Sequence, residues 1–224
     1  MLPLAERLRP RTLKEYIGQK HLVGEGAILR QMIENGNLSS FILWGPPGVG
    51  KTTLARIIAH ELERPFYTLS AVTSGVKEVR EVIEKAKRFV TMNSGLFSAS
   101  SSQENRSPIL FIDEIHRFSK SQQDSLLGAV EEGTITLIGA TTENPSFEVI
   151  TPLLSRCQVY VLKSLEKADL QELLQRALTE DAYICSLGIE IKETESILRY
   201  SGGDARKLLN IVELVTNSGV KIID

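Results

Sequence analysis

The segment Gly45–Thr53, with the sequence GPPGVGKTT, constrains the fold of this chain more than any other feature. It fits the pattern G-x-x-x-x-G-K-[ST], in which glycines let the backbone turn tightly and bring its N–H groups close to phosphate oxygens. The apolar run Ser40–Trp44 before it is typical of a buried strand, and Thr53–Leu62 after it has amphipathic helical spacing. Strand, glycine loop and helix in this order predict a polyphosphate site at a helix N-terminus.

The residue types in this loop match the parts of a nucleoside triphosphate. Lys51 supplies a mobile positive charge for the β- and γ-phosphates, and the hydroxyl of Thr52 can bind Mg²⁺. We therefore predict ATP and Mg²⁺ as ligands. The predicted nucleotide contacts in the loop are Gly45, Pro46, Pro47, Gly48, Val49, Gly50, Lys51, Thr52 and Thr53.

Further apolar runs alternate with helical patterns after the loop. Strands are predicted at Pro65–Leu69, Ile109–Ile112, Thr134–Ala140 and Val159–Leu162. Helices are predicted at Leu22–Asn35, Val76–Phe89 and Ser121–Glu132, and only helical patterns follow Lys167, at Asp169–Asp181, Thr194–Ser201 and Ala205–Thr216. This order predicts an α/β domain over residues 1–164, with a five-stranded parallel sheet and helices on both faces, and a small all-helical domain over residues 165–224.

Composition excludes several classes of protein. The net charge of −2 gives no global basic field, so any DNA contact must be local or shared between subunits. No apolar run approaches the roughly 20 residues of a membrane span, and the amino terminus lacks a signal-peptide core, so we expect a cytoplasmic protein. Cys157 and Cys185 have no metal-binding spacing and are expected to be reduced thiols. The stretch 92–107, rich in Ser, Asn and Gln, is expected to be a flexible loop.

Two acids follow the apolar run Ile109–Ile112. Asp113 and Glu114 are expected at the carboxyl end of a buried strand, where parallel α/β sheets bind ligands. Asp113 can support Mg²⁺, and Glu114 can polarise a water for attack on the γ-phosphate. Adjacent acids also occur as ordinary strand-end solvation, but their position about 60 residues after a phosphate loop favours the catalytic interpretation.

Three more polar positions are candidates for the same site. Thr141 and Thr142 end a strand, and one of them could bridge the attacking water and the γ-phosphate, although a Thr-rich turn is an alternative. Arg156 precedes a strand and could reach a neighbouring subunit's γ-phosphate, or form a surface salt bridge. Arg206 lies in the first turn of a helix, where cations are disfavoured, so an anion is expected nearby, either a γ-phosphate or a carboxylate.

These elements, in this order and spacing, resemble the AAA+ ATPases over essentially the whole chain, and the carboxyl-terminal helices then correspond to the lid domain. The resemblance to clamp-loader-type members implies that Arg9, Pro10, Tyr16 and Ile17 line the base and ribose. It also assigns Thr142 to the sensor-1 position, Arg206 to sensor 2, and Arg156 to an arginine finger within the element Leu153–Cys157. Ser70 stands where many relatives have an Asn that restrains the catalytic Glu.

Longer motifs narrow the resemblance within the AAA+ ATPases. Four longer segments are similar to the RarA/MgsA family, bacterial relatives of the eukaryotic Werner-helicase-interacting ATPase. They are DEIHRF (Asp113–Phe118), GATTENPSFE (Gly139–Glu148), SAVTSGVKEVRE (Ser70–Glu81) and GGDARKLLN (Gly202–Asn210). This family implies a DNA-dependent ATPase at stalled or damaged replication forks, acting as a homo-oligomer with single-stranded-DNA-binding protein nearby. Its members continue into a carboxyl-terminal oligomerisation region, so we expect this chain to be the nucleotide-binding part of a longer protein.

Two other functions fit parts of the pattern. A clamp-loader-like subunit would bind ATP mainly as a scaffold, although the intact acid pair Asp113 and Glu114 argues against it. A branch-migration motor resembling RuvB shares the GATT strand, Gly139–Thr142.

Overall fold

The centre of the molecule is a parallel five-stranded sheet, as predicted. The computed structural model describes residues 2–71, 74–94, 107–218 and 222–223. The strands are β1 (Phe41–Trp44), β2 (Phe66–Ser70), β3 (Ile109–Asp113), β4 (Thr136–Thr141) and β5 (Gln158–Val161). Their spatial order is β2-β3-β4-β1-β5, with every pair parallel. The strand β1 that leads into the glycine loop therefore lies beside β4, and β4 lies beside the acid-bearing β3.

Helices cover both faces of this sheet. Those that precede or connect its strands are α1 (Leu4–Arg7), α2 (Lys20–Val23), α3 (Ile28–Glu34), α4 (Lys51–Glu61), α5 (Val76–Ser94), α6 (Lys120–Glu131), α7 (Pro145–Glu148) and α8 (Thr151–Leu154). Alternate residues of β1 point to opposite faces, as strand geometry requires. Phe41 packs in one buried cluster with Leu54 of α4, whereas Ile42 packs in a second cluster with Val79 of α5. Two apolar layers thus hold the sheet between helices.

The carboxyl-terminal helices have a hydrophobic cluster of their own. They are α9 (Lys167–Glu180), α10 (Ala182–Leu187), α11 (Glu195–Ser201) and α12 (Ala205–Thr216). Leu170, Leu174, Leu208 and Val212 pack together there, and the cluster also takes in Leu4 from the amino-terminal α1. The division at residue 165 stays a prediction, but the first helix of the chain packs with the last ones.

Several elements differ from the sequence prediction. The single helix predicted at Leu22–Asn35 is wrong, because Gly24 and Gly26 separate α2 from α3, and Gly26 has a φ of +72°. The helical region also contains α10 and two short paired strands, β6 (Glu190–Ile191) and β7 (Ile222–Ile223), which the helical patterns did not indicate. Most of the Ser/Asn/Gln-rich stretch 92–107 lies outside the described residues. None of the helices in the described part of the chain is long and apolar enough to cross a membrane.

Candidate nucleotide-binding site

The glycine loop turns sharply between β1 and α4. The backbone N–H of Gly45 donates to the carbonyl oxygen of Thr141 at 3.1 Å, which continues the pairing with β4 past the end of β1. A Cβ at Gly45 would lie 2.4 Å from the carbonyl oxygen of Leu162, so no larger residue fits. Gly50 caps α4 with a φ of 95°, a conformation that L side chains rarely adopt. The loop therefore ends with the N-terminus of α4 directed into it, as a phosphate site requires.

Tyr16 supports the loop from beneath. Its side chain is buried, and its hydroxyl donates to the carbonyl oxygen of Val49 at 3.2 Å. A Cβ at Gly50 would lie 2.7 Å from the same hydroxyl oxygen. Burial raises the pKa of Tyr16, so the phenol stays protonated and remains a hydrogen-bond donor.

Lys51 folds back over the start of the loop. Its Nζ donates to the carbonyl oxygens of Gly45 at 2.8 Å and Pro46 at 2.9 Å. Burial lowers the pKa of Lys51, whereas the negative charges of Glu114 and Asp113 act to raise it. Because burial disfavours the charged form of Lys51, its ammonium gains from an additional anionic partner such as a phosphate.

A cleft opens beside the loop, between the sheet and the carboxyl-terminal helices. Its lining includes most of the residues predicted to bind nucleotide: Arg9, Pro10, Tyr16, Ile17, Pro47, Gly48, Val49, Gly50, Lys51, Thr52, Thr53, Asp113, Glu114 and Arg206. Arg9 donates to the hydroxyl of Thr53 at 3.0 Å and pairs with Glu6. The amino-terminal segment, the loop and the end of β3 therefore meet in one place.

The acidic end of β3 is strained and well anchored. Glu114 has a φ of 52°, uncommon for a residue with a side chain and frequent at functional sites. Its Oε2 accepts from the hydroxyl of Thr142 at 3.4 Å and lies 3.2 Å from Nδ1 of His116. Thr142, the predicted sensor, thus contacts the predicted catalytic acid, while the neighbouring Thr141 is fully buried.

The segment before α12 closes the cleft from the other side. Asp204 caps α12 by accepting from the backbone N–H of Lys207 at 2.9 Å. The backbone N–H of Ala205 donates to the carbonyl oxygen of Gly48 at 3.1 Å. Arg206 follows with an exposed side chain that lines the cleft, and its positive charge contributes to lowering the pKa of Lys51.

Arg156 lies outside this cleft. Its side chain is exposed on the surface, where it pairs with Glu131 of α6 and donates to the carbonyl oxygen of Pro152 at 2.6 Å. The surface salt bridge that the sequence left open is therefore present.

Part of the lining was missed by sequence reasoning. Arg176 of α9 donates to the carbonyl oxygen of Glu15 at 2.7 Å, and both residues line the cleft. Leu165, Leu173 and Leu209 add apolar surface from the carboxyl-terminal helices. No local pattern marks these positions, because they come together only when the helices pack. Among the described residues, no cluster of three His, Cys, Asp or Glu side chains is placed to hold a metal ion.

A glycine loop, a strand-end acid pair and a parallel sheet of this order define a phosphate-loop ATPase domain. Residues 41–165 match the family model described as "ATPase family associated with various cellular activities (AAA)", and the chain belongs to this family. The match ends where the carboxyl-terminal helices begin.

Three named relatives are similar to this chain over nearly its whole length. The chain is 46% identical to Replication-associated recombination protein A of Haemophilus influenzae, over 98% of this chain and 49% of the relative. It is 49% identical to the protein of that name from Escherichia coli K12, over 96% of this chain and 46% of the relative. It is also 43% identical to ATPase WRNIP1 of Dictyostelium discoideum, over 95% of this chain and 23% of the relative. The resemblance expected from the motifs is confirmed, and the chain spans about half the length of these bacterial relatives.

Solved structures of another AAA-type protein share the fold. The Thermotoga maritima RuvB Holliday junction branch migration motor superposes with a TM-score of 0.70 and 29% identity, over 97% of this chain and 69% of that chain. A variant of RuvB from the same organism gives a TM-score of 0.72 at 27% identity, with the same coverage. The similarity extends over the carboxyl-terminal helices as well as the sheet.

Proposed function

We propose that this chain is the nucleotide-binding part of a DNA-dependent ATPase, which hydrolyses ATP to ADP and phosphate and uses the energy to remodel DNA or DNA-bound complexes. The observation that carries the proposal is the meeting of Lys51, Asp113 and Glu114 in one cleft. A phosphate-binding cation and a strand-end carboxylate pair are the parts that hydrolysis of a γ-phosphate requires. A nucleotide-binding scaffold without hydrolysis needs the first part only.

Each side chain has a role in this proposal. Lys51 binds the β- and γ-phosphates in exchange for its bonds to Gly45 and Pro46. Thr52 and Asp113 offer the oxygen ligands that suit Mg²⁺, which when bound neutralises charge on the phosphates. Glu114 accepts a proton from the attacking water, while Thr142 senses the γ-phosphate.

Arg206 and Arg156 complete the proposed site from two directions. Arg206 reaches the γ-phosphate from the first turn of α12, so that nucleotide binding and the position of the carboxyl-terminal helices are coupled. Arg156 acts as an arginine finger in a neighbouring subunit's site, stabilising charge on the transferred phosphoryl group. Its exposed position, away from the cleft of its own chain, supports a role between subunits of a homo-oligomer.

The names of the relatives support the biological setting. Replication-associated recombination proteins and a WRNIP1 ATPase are similar to this chain, so we infer action at stalled or damaged replication forks in the cytoplasm, associated with the nucleoid. Forks, DNA ends and single-strand gaps are the proposed DNA partners, with single-stranded-DNA-binding protein close by. A RuvB-like branch-migration motor is the second candidate, favoured by the similarity to the RuvB structures.

The test is phosphate release by the full-length protein with forked, gapped and blunt DNA and with a four-way junction. We expect DNA to stimulate hydrolysis and forks or gaps to be the better substrates. Lys51→Ala should lose nucleotide binding, whereas Glu114→Gln should bind ATP and hydrolyse it about 10²–10⁴-fold more slowly, the usual contribution of a general base. Lys77→Ala, at a highly exposed lysine, is the matched control. Equal hydrolysis by Glu114→Gln and the parent would disprove the catalytic assignment, and preference for the four-way junction would favour the RuvB-like motor.

A further inference from the structure

His116 makes contacts that the proposed reaction does not yet use. Its Nδ1 lies 3.0 Å from the hydroxyl oxygen of Thr141 and 3.2 Å from Oε2 of Glu114. The ring therefore connects the predicted catalytic acid to a fully buried threonine of β4.

The hydrogen bonds of Thr141 determine which ring nitrogen of His116 carries the proton. The Thr141 hydroxyl has one proton and donates it to the carbonyl oxygen of Glu143 at 3.1 Å. The same oxygen accepts from the backbone N–H of Glu143 at 3.0 Å. Since the Thr141 hydroxyl already donates its proton, His116 is the donor in this pair, and the Nδ1 that carries the proton also lies 3.2 Å from the accepting Oε2 of Glu114.

The backbone around His116 is built to hold the ring in this place. Glu114 adopts a left-handed conformation, and a 3-10 turn over Ile115–Arg117 follows at once. Ile115 is fully buried and packs against Gly139 of β4, where a Cβ would lie 3.2 Å from its Cδ1. The turn thus brings His116 back against the end of β4. This conformation is unfavourable for a residue with a side chain, and such residues cluster at functional sites.

We propose that His116 is a positioning residue for Glu114, and this inference rests on the proposed hydrolysis. The hydroxyl of Thr142 donates to Oε2 and Nδ1 of His116 lies 3.2 Å from the same oxygen, so Oε1 is the oxygen left to accept a proton from water. When Thr142 turns to the γ-phosphate, as its sensor role requires, His116 keeps Glu114 attached to β4 through Thr141. The carboxylate then stays in place at the moment of attack.

The experiment compares His116→Ala and His116→Asn in the full-length protein, with DNA-stimulated hydrolysis and nucleotide affinity measured separately. The amide N–H of Asn can occupy the place of Nδ1–H, whereas Ala removes the donor. We expect His116→Ala to lower kcat at least about tenfold, a part of what a general base contributes, with the Kd for ATP changed less than about twofold. His116→Asn should stay within about threefold of the parent kcat, because it keeps the donor. His60→Ala, at an exposed histidine of α4, is the control.

A second pair of variants tests the contact between His116 and Thr141 if His116→Ala proves unstable. Thr141→Val removes the hydroxyl and should lower kcat in the same way, whereas Thr141→Ser should not. An unchanged kcat in His116→Ala, or equal loss in the Ala and Asn variants when both bind nucleotide, would overturn the positioning role. Absence of hydrolysis by the parent protein with every DNA would overturn the proposed function as well, so the two failures are distinguishable.

Discussion

The backbone N–H of Ala205 donates a 3.1 Å hydrogen bond to the carbonyl oxygen of Gly48, joining the carboxyl-terminal helices directly to the glycine loop. The carboxylate of the preceding Asp204 lies over the Cα of the same glycine. Arg206 is the next residue of α12, so this hydrogen bond joins the loop to the turn that carries the predicted sensor-2 arginine. The contact gives a physical route from the phosphate site to the helical part of the molecule.

We predict that Gly48→Ala weakens nucleotide binding at least about tenfold, because a Cβ there would lie 1.8 Å from Oδ1 of Asp204 and would sterically push α12 away from the loop. Gly48 also has a φ of +69°, so the substitution strains the backbone. Gly26→Ala is the matched control, since its φ is +72° but a Cβ would meet nothing within 4 Å. Gly26→Ala should lose about 1–3 kcal/mol of stability through backbone strain and Gly48→Ala at least as much, and only Gly48→Ala should raise the Kd for a fluorescent ATP analogue. Equal affinities in the two variants would contradict a role for the contact with Asp204.

The parts of the site that the sequence predicts are those encoded within a few adjacent residues. The loop from Gly45 to Thr52 and the acid pair after β3 each need only their own strand and the turn behind it. Tyr16 was placed near the base and ribose by resemblance, but its hydroxyl also supports Val49, which only packing reveals. The contact of His116 with Thr141 depends on the register between β3 and β4, which no local pattern specifies.

The same limit applies to the helices. Apolar spacing predicted one helix through Leu22–Asn35, because a periodic pattern continues across Gly24 and Gly26 even where the backbone does not. Leu4 packs with helices that follow it by more than 160 residues, and a contact so distant in sequence leaves no trace in local periodicity.

Arg7 and Asp181 link the amino-terminal segment to the helical part, and we predict a large loss of stability when the pair is broken. Nε and Nη2 of Arg7 donate to the two oxygens of Asp181 at 2.7 and 3.0 Å, and Arg7 also pairs with Glu213 at 3.1 Å. Asp181 is only 5% exposed, so Asp181→Asn should lower the free energy of unfolding by about 3 kcal/mol, measured by urea denaturation. The exposed pair Lys167–Glu195 is the control, and Glu195→Gln should cost less than about 1 kcal/mol.

The same pair gives the protein an acid-dependent stability. The hydrogen bond from Arg7 holds the pKa of Asp181 below its usual range. The pKa of Asp181 is lower in the folded than in the unfolded state, so its ionised form stabilises the fold. This stabilisation is complete above the unfolded-state pKa of about 3.9 and is lost as pH falls through the folded-state pKa. Between pH 6 and about pH 3, the free energy of unfolding obtained from denaturation curves should fall less for Asp181→Asn than for the parent. Parallel losses in the two proteins would show that the pair does not carry this pH dependence.

Tyr16→Phe tests the support beneath the loop. Removing the hydroxyl leaves the carbonyl oxygen of Val49 without its buried donor, which should cost about 1–3 kcal/mol of stability. The Kd for ATP should rise as well, because the loop loses a contact that fixes its backbone. Tyr200→Phe is the matched control, since its side chain is 62% exposed and should change neither quantity. A Tyr16→Phe protein with parent stability and affinity would show that the hydroxyl is dispensable.

Arg156 gives the sharpest test of a site shared between subunits. On its own, Arg156→Ala should lower hydrolysis by the full-length protein about 10³–10⁵-fold, as loss of an arginine finger does elsewhere. Lys51→Ala should also be inactive, since it binds no nucleotide. If Arg156 acts in a neighbour's site, oligomers assembled from a mixture of Arg156→Ala and Lys51→Ala subunits should regain activity. In them, a subunit with intact Lys51 can face a subunit with intact Arg156. With random equal mixing of the subunits in a ring, about one site in four is complete.

The control is a second mixture, of Lys51→Ala protein with Glu114→Gln protein. Lys51 and Glu114 both act in the cleft of their own subunit, so no neighbouring subunit can repair either defect. Phosphate release is measured after the two proteins are dissociated and reassembled together. Recovery with Arg156→Ala and none with Glu114→Gln would place the finger between subunits. Recovery in neither mixture, with oligomers confirmed by light scattering, would mean that the guanidinium serves only its surface pair with Glu131. Glu131→Gln distinguishes an arginine finger from a surface salt bridge, because it removes the charged partner of Arg156. Hydrolysis should stay intact if Arg156 acts in the next subunit's site, and should fall if Arg156 serves only its pair with Glu131.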